Sequence, residues 1–277
     1  KNPSCNTVAD ILNKASNKNG LSLSDAGYLL NTEDPELIGS MFRTSGRIKN
    51  DIYGERLVLF APLYLSSFCI NDCGYCGFHL SNPAPRKKLT LEEVAEQTKT
   101  LVDMGHKRLL LEFGEHPKIN PIDYVLDVIN TIYGIKSNNG EIRRVNVNIA
   151  AAATEEYKRL KAVGIGTYQL FQETYHKETY EKVHKGPKSD FERQLFAHDR
   201  AMAAGIDDVG LGVLYGLFDY KFDTLALVSH SQYLERKYNT GPHTISVPRF
   251  QPAPTADINL KYKVSEEQLL KAISILR

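Results

Sequence analysis

Apolar and polar positions follow two rhythms along the chain, and the change falls near residue 57. Before it the spacing is helical. Val8, Ile11, Leu12 and Ala15 recur on one face, and Ser22 is placed to cap a short helix through Tyr28 and Leu29. Asp34-Pro35 then supplies a cap and a first-turn proline for a segment carrying Leu37, Ile38 and Phe42. After it, short apolar runs alternate with helical stretches. Strands are expected at Leu57–Leu65, Arg108–Phe113, Arg144–Ala150, Thr167–Glu173, Val209–Tyr215 and His243–Arg249. Between them, Thr90-Leu91-Glu92-Glu93 is a capping box for a helix ended by Gly105, and Ile122–Ile135 and Thr154–Gly164 read as two more. A long helix is expected from Asp190 to Ala204 and another from Phe222 to Lys237, with Ser265 capping a last one.

Strand and helix alternate about six times with no hairpin signal between strands, so each return to a parallel neighbour runs through a helix. Such a chain builds either an open doubly wound sheet or a barrel. Polar residues decide between them. Asn146 and Asn148 share one face of their strand while Val145, Val147 and Ile149 share the other, and Gln169 and Glu173 share a face of the next. A strand buried on both sides reads apolar throughout. The expected fold is therefore α/β, a TIM-type β/α barrel with a polar lumen and about six units. Residues 1–56 form an N-terminal helical extension to a barrel at 57–277, and strands seven and eight would lie beyond Arg277 or be absent. The chain begins at Lys1 without methionine and stops inside a helical pattern, as expected of part of a longer protein.

Composition narrows the partners. With 42% hydrophobic residues and a net charge of +1, the chain is neither disordered nor a polyanion binder, so no nucleic acid is expected. The basic run Arg86-Lys87-Lys88 reads as a solvated loop. No apolar run approaches the roughly 20 residues needed to cross a bilayer, so no membrane partner is expected. Only four cysteines occur, three of them within eight residues, which suits a reducing cytosol better than a secreted disulfide scaffold. The fourth, Cys5, has no partner nearby and reads as incidental.

The three clustered cysteines carry the chemistry. Cys69, Cys73 and Cys76, at x3 and x2 spacing, directly follow the first strand. Three thiolates can hold three irons of a 4Fe–4S cluster and leave the fourth iron open to a substrate or cofactor. A zinc site completed by His79 is the alternative, whereas a ferredoxin cluster would need a fourth cysteine nearby. Gly210-Leu211-Gly212 with Gly216 lacks the Gly-x-Gly-x-x-Gly register of a dinucleotide loop, and close backbone approach explains these glycines better.

The Cys-x3-Cys-x2-Cys loop resembles that of the radical S-adenosylmethionine enzymes. "KRLLLEFGE" (107–115), "RRVNVNIAAA", "FQETYHKETY" (171–180), "DRAMAAGIDDVGLGVLYGL" and "GPHTISVPR" (241–249) are similar to the tyrosine-lyase branch of that family, from about residue 57 to the end. The resemblance implies a 4Fe–4S cluster and S-adenosyl-L-methionine, whose 5′-deoxyadenosyl radical takes hydrogen from the amino group of L-tyrosine. The Cα–Cβ bond then breaks to give a p-cresol precursor and dehydroglycine. In the hydrogenase-maturing members, whose wording is the nearer, dehydroglycine becomes carbon monoxide and cyanide for the iron–iron hydrogenase cluster. That later step needs a second cluster, held by the cysteines of a C-terminal domain, and no cysteine follows Cys76 in this sequence.

Alternatives are a 2-iminoacetate synthase feeding the thiazole of thiamin, a member acting on another aromatic amino acid, a non-catalytic iron–sulfur carrier, and a zinc-stabilised structural domain. A reductant such as ferredoxin or flavodoxin, and other hydrogenase maturases, are the implied partners.

Roles follow for the site residues. Cys69, Cys73 and Cys76 ligate the cluster, and Tyr75 lies where adenine would pack. Gly114-Glu115 resembles the motif that grips the methionine amine. Glu173 and Asn148 are further cofactor contacts, and Arg200 is a candidate for the methionine carboxylate, which a guanidinium grips bidentately. On strand six Arg249 is placed for the substrate carboxylate, with His243 and Ser246 for its phenol or amine. Parity limits that set, since His243 and Arg249 share one face and Ser246 the other unless Pro248 bends the strand.

Overall fold

Three helices precede the first strand: α1 (Cys5–Ser16), α2 (Leu23–Leu30) and α3 (Pro35–Tyr53). The starts of α2 and α3 are the ones the sequence marks, while the cap of α1 was not anticipated. Ser4 caps α1, Ser22 and Asp25 form a reciprocal capping box on α2, and Asp34 accepts from the Glu36 and Leu37 N–H groups behind Pro35. Val8, Ile11, Leu29, Leu30 and Met41 are buried and join the same apolar core as the strands that follow. The computed structural model describes residues 2–277 except 138, 139, 253–255, 257, 259 and 260.

Among the described residues six parallel strands follow: β1 (Ala61–Ser66), β2 (Arg108–Phe113), β3 (Arg144–Asn148), β4 (Tyr168–Gln169), β5 (Val209–Gly212) and β6 (Thr244–Ser246). Each neighbours the next in sequence order. A doubly wound sheet reverses order at a switch point. Sequential order with crossovers of one hand instead lays every helix on one face and curls the sheet around the other. The crossovers are α4 (Leu91–Asp103), α5 (Ile122–Gly134), α6 (Thr154–Val163), then the short α7 (Lys177–Val183), α8 (Phe191–Leu195) and α9 (Ala197–Ala203), and finally α10 (Tyr220–Tyr238). The last helix, α11 (Glu266–Leu276), starts on the Ser265 capping box.

The core lies between strands and helices. Leu63, Leu65, Leu109, Leu111, Val145 and Val147 point outward and are buried, while the alternate positions Tyr64, Glu112 and Asn148 face the lumen in one register row. The lower end of the lumen is plugged by polar groups. Arg144 pairs with Asp208 and reaches Thr167 and Asn146, and the Asn146 Oδ1 accepts from the Thr167 N–H at 3.0 Å.

Four expectations are corrected. The strand expected from Leu57 begins only at Ala61, and Leu57, Val58, Leu59 and Phe60 are exposed, Leu57 at 80%. Pairing starts at Ala61 with Leu109, and β2 begins just one residue earlier, so the apolar run has no strand to pin it. Strands four to six are shorter than their apolar patterns, and only isolated bridges, Glu173 to Val213 and Tyr215 to Arg249, continue them. The long helix from Asp190 breaks at Phe196 into α8 and α9. A two-residue antiparallel pair, Lys136–Ser137 with Gly140–Glu141, was not anticipated.

These burial differences are measurable. Leu59→Ser is expected to change unfolding free energy by less than about 0.5 kcal/mol, whereas Leu63→Ala, four residues on, should cost roughly 2–5 kcal/mol. Urea titration of both variants checks this, and equal losses would place residue 59 in the core.

Candidate active site at the cysteine loop

The loop after β1 leaves the barrel at Ser66 and returns alongside it, with Ser67 N donating to Lys87 O and Leu89 N to Leu65 O, both at 2.9 Å. Its tip is fastened from within. Arg86 donates to the carbonyls of Ser67, Phe78, His79 and Asn82, so this part of the basic run is a clamp and not a solvated loop. Lys88 likewise donates to Ile119 O and lies over the Tyr124 ring. Asp72 accepts from the hydroxyl and N–H of Ser81 and sits 3.0 Å from His79 Nδ1. Those hydrogen bonds hold its carboxyl well below the usual carboxylate range.

Gly114 lets this loop lie on the end of β2. A Cβ there would fall 2.3 Å from Phe68 O and 3.1 Å from the Cys69 Cβ. The three thiols consequently line one cavity of about 360 Å³ together with Tyr75, Gly114, Glu115, Asn148 and Glu173. Asn71 N–H points at Cys69 Sγ and Phe78 N–H at Cys76 Sγ, each at 3.4 Å. Burial pushes the Cys73 thiol up to about 12 and raises Cys76 as well. Such thiols ionise when a metal draws the charge. Among the described residues no three His, Cys, Asp or Glu groups are placed to hold a single metal ion, and His79 turns its Nδ1 to Asp72. Three thiols around a shared cavity, with N–H groups aimed at two sulfurs, suit a group larger than one ion, and an iron–sulfur cluster fits.

Two acid–base pairs face the same space. Glu115 is bonded to Arg193 on α8 at 2.7 Å and to Asn71 Nδ2 at 2.6 Å. Glu173 is bonded to Lys188 at 2.8 Å. Burial works against the Lys188 charge, but the Glu173 carboxylate outweighs it and keeps the lysine firmly ionised. Glu173 holds a left-handed backbone at φ 68°, which costs a non-glycine residue about 1–2 kcal/mol. Asp223 on α10 pins the turn that holds it, accepting from Thr174 Oγ1 at 3.1 Å and Tyr175 N at 2.8 Å. Tyr75 is fixed by His184 Nε2, 2.8 Å from its hydroxyl, and burial keeps that histidine neutral.

The structure thus brings together Cys69, Cys73, Cys76, Tyr75, Gly114, Glu115, Asn148 and Glu173. It does not bring the others. Arg200 spends its guanidinium on the carbonyls of Ala152 and Arg193. His243 is exposed at the opposite end of the barrel beside Lys49 and Tyr53, because it precedes β6. Arg249 bridges Tyr215 and donates to Val264 O, outside the cavity wall. Ser246 is on the inward face in register with Gly212, whose missing side chain makes room for Phe171, but it does not line this cavity. Sequence reasoning missed Asn71, Glu112, Lys188 and Arg193. The one local signal was Gly186-Pro187 ahead of Lys188, a turn at φ 82° in which a Cβ would strike Asn71.

Asp223 yields a pH test. Burial raises its carboxyl to about 7 from 3.8, so the folded state holds the proton more tightly and stability falls as pH rises through that window. Asp223→Asn keeps an acceptor oxygen and removes the titration. Relative to wild type it should gain up to about 4 kcal/mol between about pH 4 and about pH 8. Urea titration at both values checks this, and a pH-independent difference would refute it.

Comparison with known proteins agrees with this geometry. The model of the Radical SAM superfamily matches residues 63–227. A crystal structure of HydG, a maturase of the FeFe-hydrogenase, superimposes with a TM-score of 0.97 at 53% identity over 99% of the chain. HydG from Carboxydothermus hydrogenoformans gives a TM-score of 0.90 at 43% identity over 98%. The chain spans 61% and 62% of the lengths of those two proteins. The 2-iminoacetate synthase of Escherichia coli (strain K12) is 32% identical over 98% of the chain and 70% of its own length. Three thiols on the loop after the first strand of a sequentially ordered parallel sheet, and a family match that spans β1 to α10, make this chain a member of the radical SAM superfamily.

Proposed function

We propose that the chain carries the catalytic barrel of a tyrosine lyase of hydrogenase maturation, which cleaves the Cα–Cβ bond of L-tyrosine to p-cresol and dehydroglycine. The observation that carries this reading is the meeting of three thiols and two acid–base pairs in one cavity of a chain so similar to HydG. When bound, a 4Fe–4S cluster with S-adenosylmethionine supplies a carbon radical able to take hydrogen from a substrate.

The chain's own residues bind, orient and exclude water. Cys69, Cys73 and Cys76 hold the cluster, with the Asn71 and Phe78 N–H groups directed at its sulfur ligands. The amino-acid end of the cofactor carries an ammonium and a carboxylate. Glu173 and Lys188 offer the complementary charges side by side, so Lys188 takes the role first given to Arg200. Glu115, held by Arg193, is a second acceptor. Tyr75 presents a fixed ring for adenine and Asn148 an amide for ribose. The Arg144–Asp208 plug shuts the lumen below.

For the whole protein, the reading extends to carbon monoxide and cyanide for the hydrogenase iron cluster, with a ferredoxin or flavodoxin as reductant and other maturases as partners. Clustered reduced thiols favour a cytoplasmic setting. A second reading, 2-iminoacetate synthase for thiamin thiazole, is favoured by the similarity to that enzyme along nearly the whole chain and shares the tyrosine cleavage.

Anaerobic reconstitution of the full-length protein with iron and sulfide, then dithionite, S-adenosylmethionine and L-tyrosine, should yield 5′-deoxyadenosine and p-cresol. Neither product from cluster-loaded protein would reject the reading, and deoxyadenosine alone would reject tyrosine. Carbon monoxide release separates the maturase from the thiamin enzyme. Lys188→Ala should weaken S-adenosylmethionine binding roughly tenfold or more with iron content retained.

A further inference from the structure

Three acids face the cavity, and two of them have cations of their own. Glu115 has Arg193 and Glu173 has Lys188. Glu112 has none. Among the described residues its carboxylate makes no ion pair, and its one hydrogen bond comes from Asn148 Nδ2 to Oε2 at 2.8 Å. Desolvation without a charged partner raises its carboxyl to about 7. A carboxylate in that position is costly unless something completes it.

Its depth says what that something is. Tyr64, Glu112 and Asn148 are register neighbours on β1, β2 and β3, and all three line the cavity. Glu112 lies two residues before Gly114, roughly 7 Å further down the strand, and so below the rim where Glu115 and Glu173 stand. The rim pairs already match the ammonium and carboxylate of one amino acid. A third, unpaired acid beneath them matches the ammonium of a second amino acid, and Tyr64 and Phe171 in the same wall offer aromatic surface for its side chain.

We propose that Glu112 accepts the α-ammonium of the amino-acid substrate, completing an ion pair that the protein leaves unmade. The inference rests on reading the site as a lyase of an amino acid. Its test is binding, measured calorimetrically on cluster-loaded protein with three probes: L-tyrosine, 3-(4-hydroxyphenyl)propionate, which lacks the amine, and S-adenosylmethionine. Glu112→Gln should weaken L-tyrosine roughly tenfold or more and leave the other two probes unchanged, and Glu112→Asp should recover part of the loss.

Unchanged L-tyrosine binding by Glu112→Gln overturns the proposal while leaving the lyase reading intact. A loss confined to S-adenosylmethionine also overturns it, assigning the carboxyl to the cofactor. So does an equal loss for all three probes, which would mark a structural role. Wild-type protein that binds S-adenosylmethionine but not L-tyrosine overturns both this assignment and the tyrosine reading.

Discussion

The site depends on one buried amide. Asn71, 2% exposed, donates its Nδ2 to Glu115, accepts the Lys188 N–H on Oδ1 at 2.8 Å and sends its own N–H to Cys69 Sγ. It joins the cysteine loop to the end of β2 and to the turn after α7. A loop of more than about 15 residues with no secondary structure ordinarily has many conformations. Here the amide, the Arg86 clamp and the Gly114 contact leave it one. Losing one of the Asn71 bonds would strand a buried polar group, which costs about 1–3 kcal/mol.

Charge in the lumen obeys the same accounting. A buried ion is tolerable when paired and hydrogen-bonded, and the barrel meets that condition at both ends: Arg144 with Asp208 below, Glu115 with Arg193 and Glu173 with Lys188 above. The left-handed backbone at Glu173 is part of the cost. It persists because the residues that follow are over-determined, with Asp223 holding Thr174 and Tyr175 from a helix outside the barrel and Leu214 N donating to Glu173 O at 2.8 Å.

Legibility in the sequence tracked how local the cause was. Caps at Ser22, Thr90 and Ser265 and the alternation of Asn146 and Asn148 with Val145 and Val147 are each decided within a few residues, and each reads correctly as structure. Leu57–Phe60 misled because an apolar run does not reveal whether a strand lies beside it. Lys188 and Arg193 escaped because their partners lie 15 and 78 residues away, and Gly186-Pro187 ahead of Lys188 announces a turn without saying what it meets. Arg200 had the right chemistry, but the turn of α9 directs it to backbone carbonyls.

Topology explains which of the chemically plausible residues meet. In a sequentially ordered parallel barrel every strand ends at the same rim. Residues just after β1, β2 and β4 therefore converge although they are far apart in sequence: the thiols at 69–76, Glu115, and Glu173 with the Lys188 that follows. A residue just before a strand is carried to the opposite rim by the same rule, which is why His243 ends beside Lys49 and Tyr53. Alternation then sorts the strand itself. Ile245 packs against the helices, so Thr244 and Ser246 turn inward, where Gly210 and Gly212 leave space for Gln169 and Phe171. Which side of Arg108–Phe113 holds Glu112 is fixed in the same way, by Leu109 and Leu111 claiming the outer face.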